Sequence, residues 1–122
     1  MRQLELEDLL LIGEAVLGTT AEALVGATRL PLARSALDAA GRYPGLATQA
    51  AILCSRIVRN HPLPDGNKRV ALLAMLELVA RNGGEWRPPP GGQEEIAATI
   101  ERLASRELSE ADFTAWVRER VG

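Results

Sequence analysis

The chain is poor in the residues that most often announce chemistry: its 122 residues include one cysteine and one histidine. Zinc sites of the usual His/Cys type cannot be assembled from that set. Cys54 can close no internal disulfide, and its place in an apolar helical pattern reads as a small core residue. Aromatic residues make up only 3% of the chain, although 47% of it is hydrophobic. The core must then be built from Leu, Ala, Val and Ile, a mixture that favours packed helices over a β-sandwich. A dominant charge is missing too. The net charge is −2 with both signs interspersed, so no basic face points to nucleic acid as a direct partner. The longest wholly apolar run, Val70 to Leu76, is far too short to cross a bilayer. The N-terminus alternates Leu with Glu and Asp and lacks the basic start of a secretory signal. A cytoplasmic protein, away from membranes and folded as one domain over residues 1–122, is the expectation.

What is present reads as helix after helix. Leu, Ile and Val form a broad face from about Leu4 to Leu17, closed by Gly18. Gly26 and Pro31 interrupt the next stretch, which predicts a short helix followed by an extended or flap-like loop. A second short helix is expected over Leu32–Ala40. Leu46, Ala50, Leu53, Cys54 and Ile57 then recur at helical spacing, and this helix should end near Asn60, because His61 precedes a proline. The helix from Gly66 or Asn67 to Arg81 is apolar almost all round, which predicts a place at the centre of the domain with Leu73 in the core. Asn82-Gly83-Gly84 closes it. The stretch from Trp86 to Gly92, rich in Pro and Gly, reads as a surface loop. Ile96, Ile100 and Leu103 mark a further helix, and Ser109 opens the last one, which should bury Phe113, Trp116 and Val117. The pattern predicts an all-α bundle of roughly five to seven helices.

The chemistry gathers in one stretch, His61-Pro-Leu-Pro-Asp-Gly-Asn-Lys-Arg69. Lys68 and Arg69 fall in the first turn of a helix, where the macrodipole disfavours cations. A bound anion between them and the free backbone N–H groups would turn that conflict into an asset. No Walker-A pattern accompanies Gly66-Asn67-Lys68, and no serine sits in a nucleophile elbow. Each residue alone also admits a structural explanation. His61 can cap a helix C-terminus, Asp65 or Asn67 can cap the next N-terminus, Gly66 can ease the turn, and Lys68 and Arg69 can lie in solvent. Together they supply a base, a carboxylate for a metal, a backbone anion site and two cations, which is most of a phosphate-handling site.

The same stretch resembles the His-x-Phe-x-Asp-Gly/Ala-Asn-Lys-Arg motif of Doc toxins, within the wider Fic group. The resemblance reaches further: Arg29 to Leu37 is similar to a helical segment of that family, and Ala71 to Gly83 to its apolar helix ending in Asn-Gly. Leu63 stands where the family usually has Phe, and Val70 where Doc proteins often have Thr. The resemblance implies a helical bundle of the Fic/Doc type that moves a phosphate-containing group from ATP to a protein hydroxyl. In its Doc branch the implied activity is a kinase acting on elongation factor Tu. Such a protein is the toxin of a toxin–antitoxin pair, arresting translation until a small antitoxin with a disordered C-terminal tail folds against it. That tail would lie in an apolar groove beside the first helix and the Arg29–Leu37 region.

By the same resemblance His61 is the general base, a role that histidine fills more often than any other side chain. Asp65 would hold Mg²⁺. Gly66, Asn67, Lys68 and Arg69 would bind the nucleotide phosphates, with Arg69 also acting in catalysis through its planar fork. AMP-transferring Fic proteins carry glycine where Lys68 stands, so the lysine favours γ-phosphate transfer over AMP transfer. AMP transfer, or a catalytically inactive scaffold that binds an antitoxin, remain the alternatives.

Overall fold

A computed structural model describes residues 1–122. It is all-helical: α1 (Leu6–Leu17), α2 (Ala21–Ala27), α3 (Leu30–Gly41), α4 (Leu46–Asn60), α5 (Asn67–Arg81), α6 (Gly92–Ala104) and α7 (Glu110–Arg118). A single antiparallel bridge, Trp86 with Val121, ties the loop after α5 to the end of the chain. No single helix is long and apolar enough to cross a membrane.

The helix ends follow local chemistry. Glu5 and Asp8 form a reciprocal box at the start of α1, where the Glu5 N–H donates to Asp8 Oδ2 at 2.7 Å. Thr20 caps α2 and Ser109 caps α7 through their hydroxyls. Helix α3 starts two residues earlier than its apolar pattern suggests. Pro31 lies in its first turn, where the missing N–H has no intrahelical partner to lose. Gly13 lets α1 and α2 approach closely, since a Cβ there would stand 2.7 Å from Leu24 Cδ2.

The centre of the bundle is α4. Residues 49 to 55 are buried without a break, and the helix packs against α3, α5, α6 and α7. Its polar members are buried because they are paired. Gln49 donates to the Tyr43 carbonyl at 2.7 Å and accepts from Gln3 at 2.6 Å. Ser55 and Arg56 both donate to Glu110 of α7, at 2.7 and 2.9 Å. The hydrogen bond from Arg56, helped by that from Ser55, holds the Glu110 carboxyl below its usual range in spite of partial burial. At the other end, Arg81 on α5 reaches Asp8 on α1 at 3.0 Å.

Helix α5 corrects two expectations. It is not the enclosed helix, and Leu73 is not in the core. Val70, Ala71, Ala74, Met75, Leu78 and Val79 turn inward on α4, whereas Leu73 is 41% exposed. Leu72, Leu73 and Leu76 line an apolar groove of about 590 Å³ together with Trp86 and Ile96. An unbroken apolar run has no stripe, so its composition cannot say which face turns inward. Trp116 is likewise only half-buried. It stacks on Phe113 and lies under the Arg120 guanidinium, 4.8 Å from its ring centre. Beside α1 the apolar interstice lined by Leu9, Ala33 and Leu63 is closed, at about 10 Å³. Leu11 on α1 and Val25 on α2 are exposed, and Leu11 lies beside Glu77 and Arg81 of α5.

Two outcomes follow from this packing. Leu78→Ala, at a fully buried position, should cost about 2–5 kcal/mol in chemical denaturation. Leu73→Ala should cost well under half of that, and equal losses would place both side chains in the core. The second outcome concerns pH. Because Glu110 ionises more easily folded than unfolded, its contribution is complete above the ordinary carboxylate value. It is lost as pH falls through the lowered folded value. Glu110→Gln should therefore flatten the acid limb of the stability profile, and an unchanged limb would remove Glu110 from that account.

Candidate active site

The site lies where α4 stops and α5 starts. His61 ends α4 in the left-handed conformation, φ 53° and ψ 53°, with its N–H still donating to the Ile57 carbonyl. The helix ends at Asn60, as the proline after His61 predicts, and His61 leaves it left-handed, a costly conformation for a residue with a side chain. The imidazole is exposed and no protein group hydrogen-bonds it. The loop behind it is fastened from several sides. The Arg29 N–H donates to the Pro62 carbonyl at 2.8 Å, and Asn60 donates to the Leu32 carbonyl at 3.2 Å. Leu63 is buried against Leu24 and Val70.

Asn67 completes the fastening. Its Oδ1 accepts from the Leu63 N–H at 2.9 Å, and its Nδ2 donates to the Leu63 carbonyl at 3.0 Å. The residue is 3% exposed. Asn67 thus spends both polar atoms on the loop, and what it can offer a phosphate is its backbone N–H. Val70 is fully buried beside Leu63, so a hydroxyl at that position would face the apolar cluster rather than the solvent side of the loop.

Gly66 starts α5 with φ 69°. A Cβ there would meet Leu17 at 3.0 Å and Val16 at 3.2 Å, so the end of α1 forms the floor under the turn. The conformation and the closeness both call for glycine. No side chain caps α5, and no protein acceptor meets the N–H groups of Asn67, Lys68 and Arg69. Three aligned donors therefore face outward at the positive end of a 15-residue helix.

Those donors open into a depression of about 250 Å³, lined by His61, Asp65, Gly66, Asn67, Lys68 and Arg69 and by no apolar residue. All six site residues proposed from the sequence are thus brought together. Asp65 accepts from the Gly66 N–H through Oδ1 at 2.8 Å, which leaves its other oxygen without a protein partner. Arg69 is exposed and makes no ion pair. Lys68 reaches away to α6, where its Nζ lies 2.7 Å from Glu101 Oε1.

The arrangement offers a proton acceptor, a free carboxylate oxygen, a row of backbone donors and two cations around one polar depression. That set suits an oligophosphate better than a neutral ligand. No group of three metal-type side chains gathers anywhere in the chain, so a bare ion has no cage. Asp65 beside phosphate-binding amides nevertheless fits Mg²⁺, which takes one or two carboxylates when phosphates supply other oxygens. Two participants were not legible beforehand. The Leu63 backbone joins the site only through the Asn67 amide, and Glu101 lies 33 residues beyond Lys68 with no local pattern to mark it.

A family model described as Fic/DOC family matches residues 4–79. That stretch contains every residue of the depression; residues 80–122, with α6 and α7, lie outside it. No curated protein matches the chain.

Asn67→Ala would leave a buried N–H and a buried carbonyl of Leu63 unpaired, at about 1–3 kcal/mol for each group. The denaturation midpoint should fall accordingly, and amide exchange at Leu63 should accelerate. A midpoint within error of the parent protein would show that Asn67 does not hold the loop.

Proposed function

The chain belongs to the Fic/DOC family, whose members modify proteins by transfer from a nucleotide and generally use ATP with Mg²⁺. From that premise we propose that it transfers the γ-phosphate of ATP to a protein hydroxyl. In this reading it is the toxin of a toxin–antitoxin pair, its target is elongation factor Tu, and the consequence is arrested translation. The observation that carries the proposal is the convergence of His61, Asp65 and Arg69 on the uncapped start of α5.

In the proposed reaction His61 takes the proton of the target hydroxyl as its oxygen attacks the γ-phosphorus. The bond from that phosphorus to the β,γ-bridging oxygen breaks, and ADP leaves. The backbone N–H groups of Asn67, Lys68 and Arg69 hold phosphate oxygens, and the Arg69 guanidinium meets them through its planar fork. Asp65 would hold Mg²⁺, which supplies charge neutralisation on the phosphates when bound. Little covalent chemistry is asked of the protein, so the rate depends on positioning and charge. The left-handed backbone of His61 suits this role, since it aims an otherwise unpartnered imidazole outward from a fastened loop.

Lys68 favours phosphate over AMP as the transferred group. AMP-transferring relatives carry glycine there, whereas here a cation stands at the α6 side of the depression. The regulator in this reading is a small antitoxin with a disordered C-terminal tail, and Leu11 and Val25 are the exposed apolar side chains near the first helix that such a tail would cover. Residues 1–122 act in this reading as one domain.

The test incubates the protein and purified elongation factor Tu with ATP labelled at the α or the γ position. Label from the γ position on the target, lost in His61→Ala by at least the ~10²-fold typical of a missing general base, is the expected result. Label from the α position would establish AMP transfer instead. No label from either, together with unimpaired growth on expression in several bacterial hosts, would leave an inactive scaffold.

A further inference from the structure

Lys68 is the only lysine among the fourteen cationic side chains of this protein. Every other ion pair in the chain is made by arginine: Arg56 with Glu110, Arg81 with Asp8 and Glu77, and Arg120 with Glu95 and Glu119. The two arginine pairs that join separate helices most closely are half-sheltered, with side-chain exposures of 34% and 21% for Arg56–Glu110 and 24% and 23% for Arg81–Asp8. Lys68–Glu101 is different. Its partners are 50% and 63% exposed, yet they meet at 2.7 Å across two helices that hardly touch each other otherwise. A pair so exposed contributes little to stability. It does fix where the Lys68 ammonium rests, which is on the α6 side of the depression and off the outward N–H groups of α5.

We infer that Glu101 is a positioning residue for the transfer site, a carboxylate latch that occupies Lys68 until a polyphosphate displaces it. The inference rests on the nucleotide reading of the site and adds to it a residue outside the matched part of the chain. Three physical points support it. A lysine ammonium is a compact charge on a flexible stem, able to leave one oxygen partner for another, whereas an arginine fork is best suited to a fixed bidentate partner. A phosphate group carries more charge than a carboxylate and presents several acceptor oxygens, so it outcompetes Glu101 for the same ammonium. The exposed pair is weak enough to be opened by a ligand of ordinary affinity. Glu101 therefore acts as a competitor that the correct ligand must replace. A monoanion gains less from Lys68 than it must displace and leaves the latch closed, whereas the terminal phosphates of a nucleotide gain more and open it.

The test measures binding by calorimetry, with inorganic tripolyphosphate and with Mg·ATP as probes, on the full chain. Glu101→Gln should tighten both by about two- to fivefold, the range an exposed pair represents, while leaving the denaturation midpoint unchanged. The gain for inorganic monophosphate should be smaller, because a ligand that takes less from Lys68 is held back less by its pairing with Glu101. In a Lys68→Ala background the same change should have no further effect, as expected for two residues that act through each other. Glu94→Gln, two turns back on α6 and making no ion pair, removes an equal charge and should leave binding as it was. Weaker tripolyphosphate binding in Glu101→Gln, an equal gain with Lys68 absent, or an equal gain from Glu94→Gln would each overturn the latch. Binding by the parent protein with no change in Glu101→Gln would overturn it while sparing the nucleotide reading. If neither probe binds the parent protein or the variant, the nucleotide reading itself fails and the latch falls with it.

Discussion

Everything at the active end of this protein hangs on one side-chain amide. Asn67 gives its oxygen to the N–H of Leu63 and its nitrogen to the carbonyl of the same residue, so a single planar group closes the loop onto the helix that follows. The bonds are buried, and the surroundings of Leu63 are apolar: Leu24 on one side and Val70 on the other. In such a place an unpaired backbone group is expensive, which makes the closed form of the loop strongly preferred over alternatives. An aspartate would keep the acceptor and lose the donor; a leucine would lose both. Only a carboxamide satisfies the two backbone groups at once. With the loop pinned from inside, the neighbouring side chains are released to face outward, and His61, Asp65, Lys68 and Arg69 are all exposed.

The fold serves that loop by placing opposite helix ends at one point. Helix α4 ends at His61, and α5 begins at Asn67. The turn between them thus joins a helix end where the His61 N–H still donates to the Ile57 carbonyl to one whose N–H groups are free. Its floor comes from α1, through Val16 and Leu17 beneath Gly66, and its flank from the start of α3, through Arg29 and Leu32. None of these supports is catalytic. Each removes a way for the loop to move, and transfer from a nucleotide is sensitive to displacements of the order of ~1 Å. The cations in the first turn of α5 are unfavourable to an isolated helix. That cost is tolerable here because α5 is held by packing on α4 rather than by its own termini.

Much of this was legible in the sequence, for identifiable reasons. The bounds of α4 and α5 were readable because proline and glycine punctuate them and the apolar spacing in α4 is regular. The motif was readable because its residues are contiguous, so no tertiary knowledge was needed to group them. The direction of α5 was not. Its apolar residues encircle the helix, and whether Leu73 or Leu78 faces the core depends on where Trp86 and Ile96 come to rest, which is a property of the whole chain. The centrality of α4 was obscured in the opposite way. Gln49, Ser55 and Arg56 look like surface residues until Tyr43, Gln3 and Glu110 are seen to satisfy them. Glu101 had no local signature at all, because an exposed glutamate on an amphipathic helix is ordinary until its partner is known.

These separations of role explain how so few polar residues can sustain a demanding reaction. The residue types that usually build catalytic sites are nearly absent, with one histidine and one cysteine, and the cysteine is buried with its thiol pushed up to about 12 by desolvation. The backbone supplies what side chains do not. Three N–H groups at the start of α5 are donors that need no rotamer ordering, carry no side-chain desolvation cost and sit at fixed spacing. Arginine and lysine then add charge, and in the proposed reading a single carboxylate would leave room for a metal whose remaining ligands arrive with the nucleotide. In the proposed reading a lone ion or a lone phosphate meets only part of this set. Such a site would be assembled by its substrate, and that dependence would itself be a source of specificity, since a ligand lacking either the metal or the full phosphate chain would complete only part of it.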